Sequence, residues 1–402
     1  MTRLWDKGKS LDERILGFTA GEDHRLDERL VAYDVTASVA HAKMLEAAGL
    51  LAPHESAAIR AGLKELGAAH ARGDWQIGLA DEDAHTALER RLIDRIGEPG
   101  GRVHLGRSRN DQVLVALRLY MKDAIASLAA QATEVVAVLE SIAARQGDIA
   151  LPGYTHMQPA MPSTVGLWAR GFAAEIADDR EGLLAARRRA DKSPLGSAAG
   201  YGTPKLPIDR EATRAALGFA EIHEPVTAVQ LSRGKAEASL LFELALLTND
   251  LGRLAADLML FYMEELAFVA LPAEMTTGSS IMPQKRNPDV FELVRAAGAT
   301  AQAALLEALA ITAKLPSGYH RDLQRLKSPL FRGIDLASDC LAIMAHALPM
   351  IEFRPENIRL QPELYAAERA NALVLGEGIS FREAYRRVAA ELERERSQGK
   401  KA

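Results

Sequence analysis

A short segment in the last third of the chain concentrates groups that could bind an anion. Residues 276–293 read "TTGSSIMPQKRNPDVFEL" and place hydroxyl, amide and cationic side chains around two prolines. Successive backbone N–H groups near Gly278 and Ser279 can cradle an oxyanion, and Lys285 adds a full positive charge. Gly, Ser, Asn and Pro also gather in ordinary solvated connections for backbone reasons alone. The added side-chain chemistry favours an anion-binding loop.

The polar residues of this loop continue into the helix predicted after it. Asn287 precedes the second proline of the motif, and Glu292 falls on the first turns of the helix. Glu292 is interpreted either as a solvated helix residue or as a carboxylate that holds and charges a histidine.

A second motif, "GRVHLGRSRNDQV", stands just before another predicted helix. Ser108, Asn110 and Asp111 are residue types that accept hydrogen bonds from the free N–H groups of a first helical turn. Capping does not explain Arg107 and Arg109, which lie beside the positive end of the helix dipole. Two arginines in that place predict a carboxylate-binding site.

A third motif, "PGYTHMQPAMPST", surrounds a histidine with polar groups in a predicted loop. Thr155 and Gln158 flank His156 and are suited to holding a polar ligand. The backbone is stiffened by Pro152, Pro159 and Pro162. A lone histidine is more often structural than catalytic, but this setting favours a role in a site.

A fourth motif, "LPSGYHRDLQRLK", adds further polar groups before a helix. It contains Tyr319, Arg321, Gln324 and Lys327. Taken alone, these residues are typical of a helix N-terminus with exposed polar side chains. Together with the other motifs, they extend a predicted site for carboxylates.

Proline spacing predicts the elements that must position these motifs. Proline is excluded from helix interiors, so proline-free intervals mark where long helices could run. The intervals are 99–152, 162–194, 225–272, 288–316 and 329–349, and they are rich in Ala, Leu, Glu and Arg. In the third interval a helix-bundle seam is predicted from Leu244, Leu247, Leu251, Leu254, Leu258 and Phe261. Strand patterns are nearly absent, so the predicted fold class is all-α.

The predicted organisation has three regions along the 402 residues. They are an N-terminal helical domain (1–108) with helices over 30–51 and 56–71, a central long-helix bundle domain (109–350) and a short C-terminal helical region (351–402). A helix of about forty residues would extend about 60 Å. One thin bundle could not cover the apolar surface of such helices, which predicts an oligomer.

Composition excludes several classes of function. A net charge of −5 and 5% aromatic residues argue against a nucleic-acid-binding protein. Cys340 is the single cysteine, which excludes an intrachain disulfide and a thiolate-rich metal site. His85 and Glu89 have the spacing of a metal site or of a surface ion pair, and the ion pair is favoured. We expect no metal, no membrane span and a cytoplasmic location.

The four motifs resemble a known group of proteins. "GSSIMPQKRNPD" resembles the signature loop of the fumarase/aspartase superfamily. "GRSRNDQV", "GYTHMQPAMPS", "SPLGSAAGYG" and "LPSGYHRDLQ" are similar to the argininosuccinate lyase family within it. The similarity runs in order from "YDVTASVAHAKML" to "SGYHRDLQRLK".

The resemblance implies both an activity and an assembly. It implies reversible elimination of argininosuccinate to L-arginine and fumarate, in arginine biosynthesis, with no metal or organic cofactor. It also implies a homotetramer whose central helices form one bundle, with each site for the dicarboxylate substrate shared between three chains. This assembly would cover the long helices.

The resemblance further implies a role for each motif residue. Ser279 corresponds to the base that takes a proton next to a carboxylate and gives an aci-carboxylate intermediate. Lys285 and Asn287 are similar to the residues that bind this intermediate, and His156 with Glu292 is similar to a charged dyad. The substrate-holding positions are Ser108, Arg109, Asn110, Thr155, Tyr319, Gln324 and Lys327. The group that protonates the departing guanidino nitrogen is left open.

One departure and two alternatives accompany this resemblance. Near the N-terminus the chain reads "FTAGEDHRLDERL" where many members of the family have an "ASI" segment, and Asp27 is placed to fill a nearby carboxylate position. The alternatives are another fumarate-releasing lyase of the superfamily and a catalytically silent structural protein like the lens crystallins. "SRNDQV" and "PQKRNPD" argue against the first, and the presence of Ser279 and His156 argues against the second.

Overall fold

The computed structural model describes residues 12–399, with side chains to residue 397. In chain order the α-helices are α1 (Glu13–Ala20), α2 (Asp23–Leu26), α3 (Val31–Ala47), α4 (Pro53–Ala71), α5 (Ala84–Ile96), α6 (Arg109–Gln146), α7 (Val165–Ala190), α8 (Arg210–Ala216), α9 (Val226–Leu231), α10 (Lys235–Tyr262), α11 (Asp289–Thr312), α12 (Lys327–Ala347), α13 (Ala366–Glu377) and α14 (Phe381–Gly399). Short 3₁₀ segments cover Asp27–Leu30, Glu98–His104, Ala273–Met275, Arg321–Leu326, Leu348–Met350, Pro355–Asn357 and Pro362–Tyr365.

The strands are short and form three two-stranded pairs within the described residues. β1 (Ala150–Thr155) pairs with β2 (Gln158–Thr164), β3 (Lys192–Ser193) with β4 (Glu221–Ile222), and β5 (Val269–Ala270) with β6 (Glu352–Phe353). The first and third pairs are antiparallel and the second is parallel. The predominance of helix confirms the all-α prediction.

Long helices occupy the proline-free intervals. Four of the five intervals contain α6, α7, α10 and α11, as predicted, and the fifth contains most of α12, which begins at Lys327, before Pro329. The 38 residues of α6 correspond to a length of about 57 Å. Along α10 every residue of the predicted seam, from Leu244 to Phe261, is buried. The two predicted N-terminal helices are found as α3 and α4.

Residues 150–164 differ from the prediction, because they form a β-hairpin rather than a loop. Pro152 and Pro162 face each other in the register of β1 and β2, and Pro159 lies near the turn. Proline lacks a backbone N–H, so it disfavours central strands but is tolerated in edge strands. Both strands of a two-stranded pair are edges, which explains why proline spacing did not reveal this hairpin.

The chain folds as two compact units. The first holds residues up to Ala129 together with Glu181–Ala245 and Ala299–Ala337, and the second holds Ala130–Arg180, Leu246–Gly298 and the residues from Ser338 onward. In the first unit, α3, α4 and α5 pack through buried residues that include Leu45, Ile59, Leu63, Leu88 and Leu92. The division into three regions by sequence stays a prediction.

The second unit has its own aromatic and C-terminal packing. The Trp168 ring contacts the rings of Phe172, Phe261 and Phe353, with centroids 5.5 to 5.8 Å apart. Helices α13 and α14 pack through a smaller cluster of buried residues, Ala370, Ala384 and Val388. These contacts bury the apolar faces of the unit's helices.

Helices α6 and α11 are long and apolar enough to cross a membrane by length and composition alone. The core helices of water-soluble proteins satisfy the same criterion. In α6, the buried guanidinium of Arg118 donates to the Lys192 carbonyl and the Ser232 hydroxyl, and Lys122 pairs with Asp191. Buried cations with partners inside the protein are typical of a core helix.

Candidate functional site

The first unit contains a cleft that gathers most of the predicted substrate-holding residues. It has a volume of about 110 Å³. Its predicted members are Arg109, Asn110, Tyr319, Gln324 and Lys327, and it is also lined by Asp23, Asp83, His85, Val113, Arg233 and Arg321. The start of α6, the 3₁₀ segment Arg321–Leu326 and the start of α12 therefore meet at one place.

Arg109 is held at the start of α6 by the start of α5. Asp83 is the N-cap of α5, where one carboxylate oxygen accepts the Thr86 N–H at 3.0 Å and the other pairs with the Arg109 guanidinium. The Nε of Arg109 donates to Nε2 of His85 at 3.1 Å. Burial disfavours the charged imidazolium and lowers the pKa of His85 to about 4. The negative charge of Asp83 opposes this shift, and the positive charge of Arg109 adds to it. A neutral imidazole is consistent with its acceptor role toward Arg109.

Asp111 closes the loop before α6 rather than lining the cleft. One of its oxygens accepts the Ser108 N–H at 2.9 Å, and the other accepts the N–H groups of Gly196 and Ala198 at 3.1 and 2.9 Å. The Ser108 hydroxyl oxygen accepts the Asn110 N–H at 3.3 Å. In this motif Asp111 and Ser108 therefore cap the start of the helix, while Arg109 and Asn110 line the cleft.

Lys327 is buried between two carboxylates at the start of α12. Its Nζ lies 2.5 Å from Asp27 Oδ1 and 2.9 Å from Asp23 Oδ2, and its side chain is 3% exposed. Burial disfavours the charge of Lys327, but Asp27 and Asp23 outweigh that effect and raise the pKa of this group. Lys327 is therefore a fixed cation, and Asp27 is one of its two carboxylate partners.

The polar groups of the fourth motif are tied to the N-terminal segment. The Gln324 amide donates to the carbonyls of Thr19 and Ala20 at 3.0 and 3.2 Å. The Arg321 guanidinium donates to the Thr19 carbonyl at 2.8 Å and to Glu82 at 3.3 Å. The interpretation of these residues as exposed helix-terminal side chains is wrong for Gln324 and Lys327, which are partly and fully buried.

In the second unit, the predicted histidine lies at the tip of the β1–β2 hairpin. Thr155 pairs with Gln158, so His156 and Met157 form a two-residue turn. Both have positive φ angles, 53° and 58°. Two successive positive φ values characterise a type I′ turn, a conformation that other residues adopt less readily than Gly or Asn. Thr155, His156 and Gln158 are all exposed there.

The "GSS" loop also lies in the second unit. Its base is fixed by paired backbone hydrogen bonds between Thr277 and Asn287, at 3.0 and 2.8 Å. The Ser279 hydroxyl oxygen accepts the N–H groups of Ile281 and Met282 at 3.4 and 3.2 Å. Donors aimed at an oxygen favour its negatively charged form, which is the property that a serine base requires.

The remaining predicted catalytic residues line a cleft beside this loop. The cleft has a volume of about 870 Å³, and its wall includes Lys285, Asn287, Glu292 and Arg354. Glu292 is exposed on the first turns of α11. Within the described part of the chain, no hydrogen bond or ion pair joins Glu292 to His156, so their pairing stays a prediction.

Comparisons with known proteins match most of this chain. Residues 16–303 match the family model described as "Lyase". The argininosuccinate lyase of Sorangium cellulosum is 46% identical over 392 residues, which cover 97% of this chain and 90% of that protein. The argininosuccinate lyase of Thermotoga neapolitana is 41% identical over 396 residues, covering 98% and 99%. The chain belongs to the argininosuccinate lyase family.

Solved structures agree with the fold expected for this family. The structure of EDDS lyase in complex with formate has a TM-score of 0.82 and 25% identity, covering 97% of this chain and 78% of that chain. A class II fumarase from Schistosoma mansoni has a TM-score of 0.79 at 19% identity, covering 94% and 88%. The second similarity shows the fold alone.

Sequence reasoning misjudged three side chains near the site of this family member. Arg107 does not line the cleft, because it is buried and donates to the Ser38 hydroxyl at 2.8 Å. The proposed surface ion pair of His85 with Glu89 is wrong, since both are buried and Glu89 lies 3.6 Å from His104 instead. No cluster of three or more His, Cys, Asp or Glu residues suited to a metal occurs within residues 12–399.

Four residues that line the cleft were not predicted as site residues, and only two of them have a recognisable sequence pattern. Asp83 is followed by "AHTALER", a capping pattern that could have placed it at a helix start. His85 was noted only for its spacing. Asp23 and Arg233 carry no local pattern, because their place in the cleft depends on contacts with distant segments.

Proposed function

We propose that this protein catalyses the reversible elimination of argininosuccinate to L-arginine and fumarate. The observation that carries the proposal is the 41–46% identity to argininosuccinate lyases over nearly the whole chain. The reaction breaks a carbon–nitrogen bond, so the protein is a carbon–nitrogen lyase of arginine biosynthesis. A small dicarboxylate is the expected ligand of the cationic groups described above.

Ser279 is the proposed base. Its alkoxide would remove the proton from the carbon next to a succinyl carboxylate, and the electron pair would move into that carboxylate to give the aci-carboxylate form. The N–H groups of Ile281 and Met282 support this role, because they donate to the Ser279 oxygen. Collapse of the intermediate then expels the guanidino nitrogen and forms the double bond of fumarate.

Cations and amides would stabilise the extra charge of the intermediate. Lys285 and Asn287 line one cleft wall and are the proposed groups for this purpose. A preorganised positive charge contributes most when the negative charge develops only in the transition state. His156 with Glu292 is the proposed charged dyad, and the acid that protonates the departing nitrogen is either His156 or another group.

The cleft of the first unit is proposed to hold the rest of the substrate. Its proposed binding residues are Ser108, Arg109, Asn110, Tyr319, Gln324 and Lys327, joined by Thr155 and Gln158 from the hairpin. Fixed partners support this assignment, since Arg109, Gln324 and Lys327 are each oriented by hydrogen bonds to the protein. Orientation before binding lowers the entropic cost of holding a ligand.

The proposed assembly is a homotetramer with sites built from several chains. Exposed apolar side chains on the long helices support it, including Leu293 (72%), Leu306 (69%) and Leu309 (51%) on α11. Large exposed apolar residues along one helix are typical of a subunit interface. The proposed location is the cytoplasm, in keeping with a soluble biosynthetic enzyme.

Adding argininosuccinate and following the ultraviolet absorbance of fumarate tests the activity. Parallel assays with aspartate, malate and adenylosuccinate cover the other fumarate-releasing lyases of the superfamily. Fumarate released only from argininosuccinate supports the proposal. Fumarate from another substrate would assign a different lyase, and none from any of them would favour a structural protein.

A further inference from the structure

Two carboxylates contact the single positive charge of Lys327. Asp27 uses both oxygens inside the protein, since one lies 2.5 Å from Lys327 Nζ and the other accepts the Ala84 N–H at 3.2 Å. Asp23 contacts the same ammonium through Oδ2 at 2.9 Å. Its Oδ1 has no hydrogen-bond partner among residues 12–399. Because Asp27 already neutralises Lys327, Asp23 presents an uncompensated negative charge.

Asp23 is also the carboxylate that faces the cleft. Asp27 does not line the cleft, whereas Asp23 does. The other lining acid, Asp83, is occupied by the Thr86 N–H and the Arg109 guanidinium. Of the carboxylates that line the cleft, Asp23 is therefore the one with a free oxygen, and the complement of a carboxylate is a cation.

An unsatisfied guanidinium in the same wall points to a ligand that also carries an anion. Arg233 is 2% exposed and lines the cleft. Its Nε and Nη1 have no hydrogen-bond partner within the described residues, Nη2 reaches the Leu323 carbonyl only at 3.4 Å, and the nearest carboxylate oxygen of Glu237 is 3.8 Å away. Leaving buried charged donors unpaired is costly, so this group requires an acceptor.

A free carboxylate and a guanidinium with two unsatisfied N–H donors in one small cleft complement an amino-acid head group. A cleft volume of about 110 Å³ leaves room for one small group of that kind. In the substrate of the proposed function, the arginine end carries such a head group, with an ammonium and a carboxylate on one carbon.

We infer that Asp23 is a specificity-determining residue that binds the α-ammonium group of the arginine end of the substrate, with Arg233 facing its α-carboxylate. The inference rests on the proposed function. It assigns a role to the segment in which the chain departs from the usual family pattern, and it makes recognition of the amino group a property of this cleft.

The direct test compares two ligands that differ only in the amino group. Binding of L-arginine and of 5-guanidinopentanoate, which lacks the α-amino group, is measured by titration calorimetry at pH 8 on the intact protein. We expect the wild-type protein to prefer L-arginine by about tenfold or more, the range for a hydrogen bond between charged groups. Asp23→Asn keeps the shape and an acceptor for Lys327, and it should reduce the preference to less than about threefold.

A matched control removes the same charge from the neighbouring residue. Glu22 is exposed and pairs only with Arg25 among its described contacts, so Glu22→Gln should keep the wild-type preference. Retention of the full preference in Asp23→Asn would overturn the inference. A different result would contradict the proposed function, namely that the wild-type protein releases no fumarate from argininosuccinate.

The pH dependence of arginine binding gives a second readout. Burial disfavours the ionised carboxylate and raises the pKa of Asp23 to about 7. The neighbouring carboxylates of Asp27 and Asp83 add to this shift, and the ammonium of Lys327 opposes it. A cation binds the ionised form, so affinity for L-arginine should fall as pH drops below about 7, approaching tenfold per unit. His85 has a pKa of about 4 and does not titrate in this window. The other charged groups facing the cleft are Asp83, Arg109, Arg233, Arg321 and Lys327, and Asp27 acts on Asp23 from behind Lys327.

In Asp23→Asn this pH dependence should disappear, while Glu22→Gln should follow the wild-type curve. If Asp23 has a purely structural role, Asp23→Asn should lower the affinity for both ligands equally, and its pH dependence of arginine binding should match that of the wild type. That result would contradict the inference even if the variant is less stable.

Discussion

A serine hydroxyl is a weak base unless its alkoxide is stabilised by its surroundings. In the "GSS" loop the oxygen of Ser279 accepts two backbone N–H groups, while Ser280 has no such contact within the described residues. The two adjacent hydroxyls therefore differ in environment although the sequence presents them as equivalents.

We expect Ser279→Ala to lower kcat by at least about 10²-fold, because an essential base is lost. The fold should persist, since Ser279 is only half-buried and the contacts of its hydroxyl lie within one turn. Ser280→Ala is the matched control and should keep kcat within a few-fold of the wild type. Steady-state kinetics with circular dichroism measure both. A Ser279→Ala variant that keeps more than a tenth of the wild-type kcat would exclude this residue as the base.

Activity should be insensitive to chelators. The charges that the proposed mechanism uses come from side chains such as Lys285 and Lys327, and they require no bound cation. Activity is measured after prolonged treatment with EDTA and again after adding divalent cations. Loss on chelation with recovery on adding a metal would contradict the cofactor-free mechanism.

At the scale of elements, the hairpin carrying His156 depends on a turn that its residues do not favour. Positive φ angles are costly for L-residues, most of all for β-branched ones, by about 1 to 2 kcal/mol. Met157 is 66% exposed, so packing does not explain its identity. The conformation of this turn therefore fixes the direction of the neighbouring histidine.

Substitution of Met157 tests the turn without touching the histidine. Met157→Val should lower the free energy of unfolding by about 1 kcal/mol, because a β-branched residue resists positive φ. Met157→Gly should leave it unchanged or slightly raised, since glycine adopts this conformation freely. Thermal unfolding compares the two variants. Equal stability of the Val and Gly variants would mean that the turn has another conformation.

The sequence predicted the elements that depend on local patterns and missed features that depend on contacts between distant segments. Proline exclusion and the Leu seam of α10 are local patterns, so all five long helices were predicted, although α12 begins at Lys327 and includes Pro329 in its first turn, where proline is tolerated. The hairpin escaped because proline is tolerated in edge strands. Arg107 and His85 were misjudged because burial of a charged side chain depends on contacts such as Arg107 with Ser38, which join segments far apart in the sequence.

At the scale of the whole molecule, the predicted site residues divide between the two units. Asn110, Tyr319, Gln324 and Lys327 belong to the first, and Ser279 and His156 belong to the second. The proposed tetramer unites these groups by contributing them from different chains. Such an arrangement makes activity depend on which chains assemble together, and this dependence can be measured.

Asn110→Ala and Ser279→Ala should each be inactive alone yet recover activity when their chains are mixed. If a site takes its "SRND" and "GSS" segments from independent chains, an equal random mixture contains intact sites about one time in four. The two variants are denatured and refolded together, mixed tetramers are verified by differential tagging, and each variant refolded alone is the control. Activity near a quarter of the wild type supports shared sites. Mixed tetramers with no more activity than the separate variants would mean that each site belongs to one chain, because no pairing of chains could then combine the two intact segments.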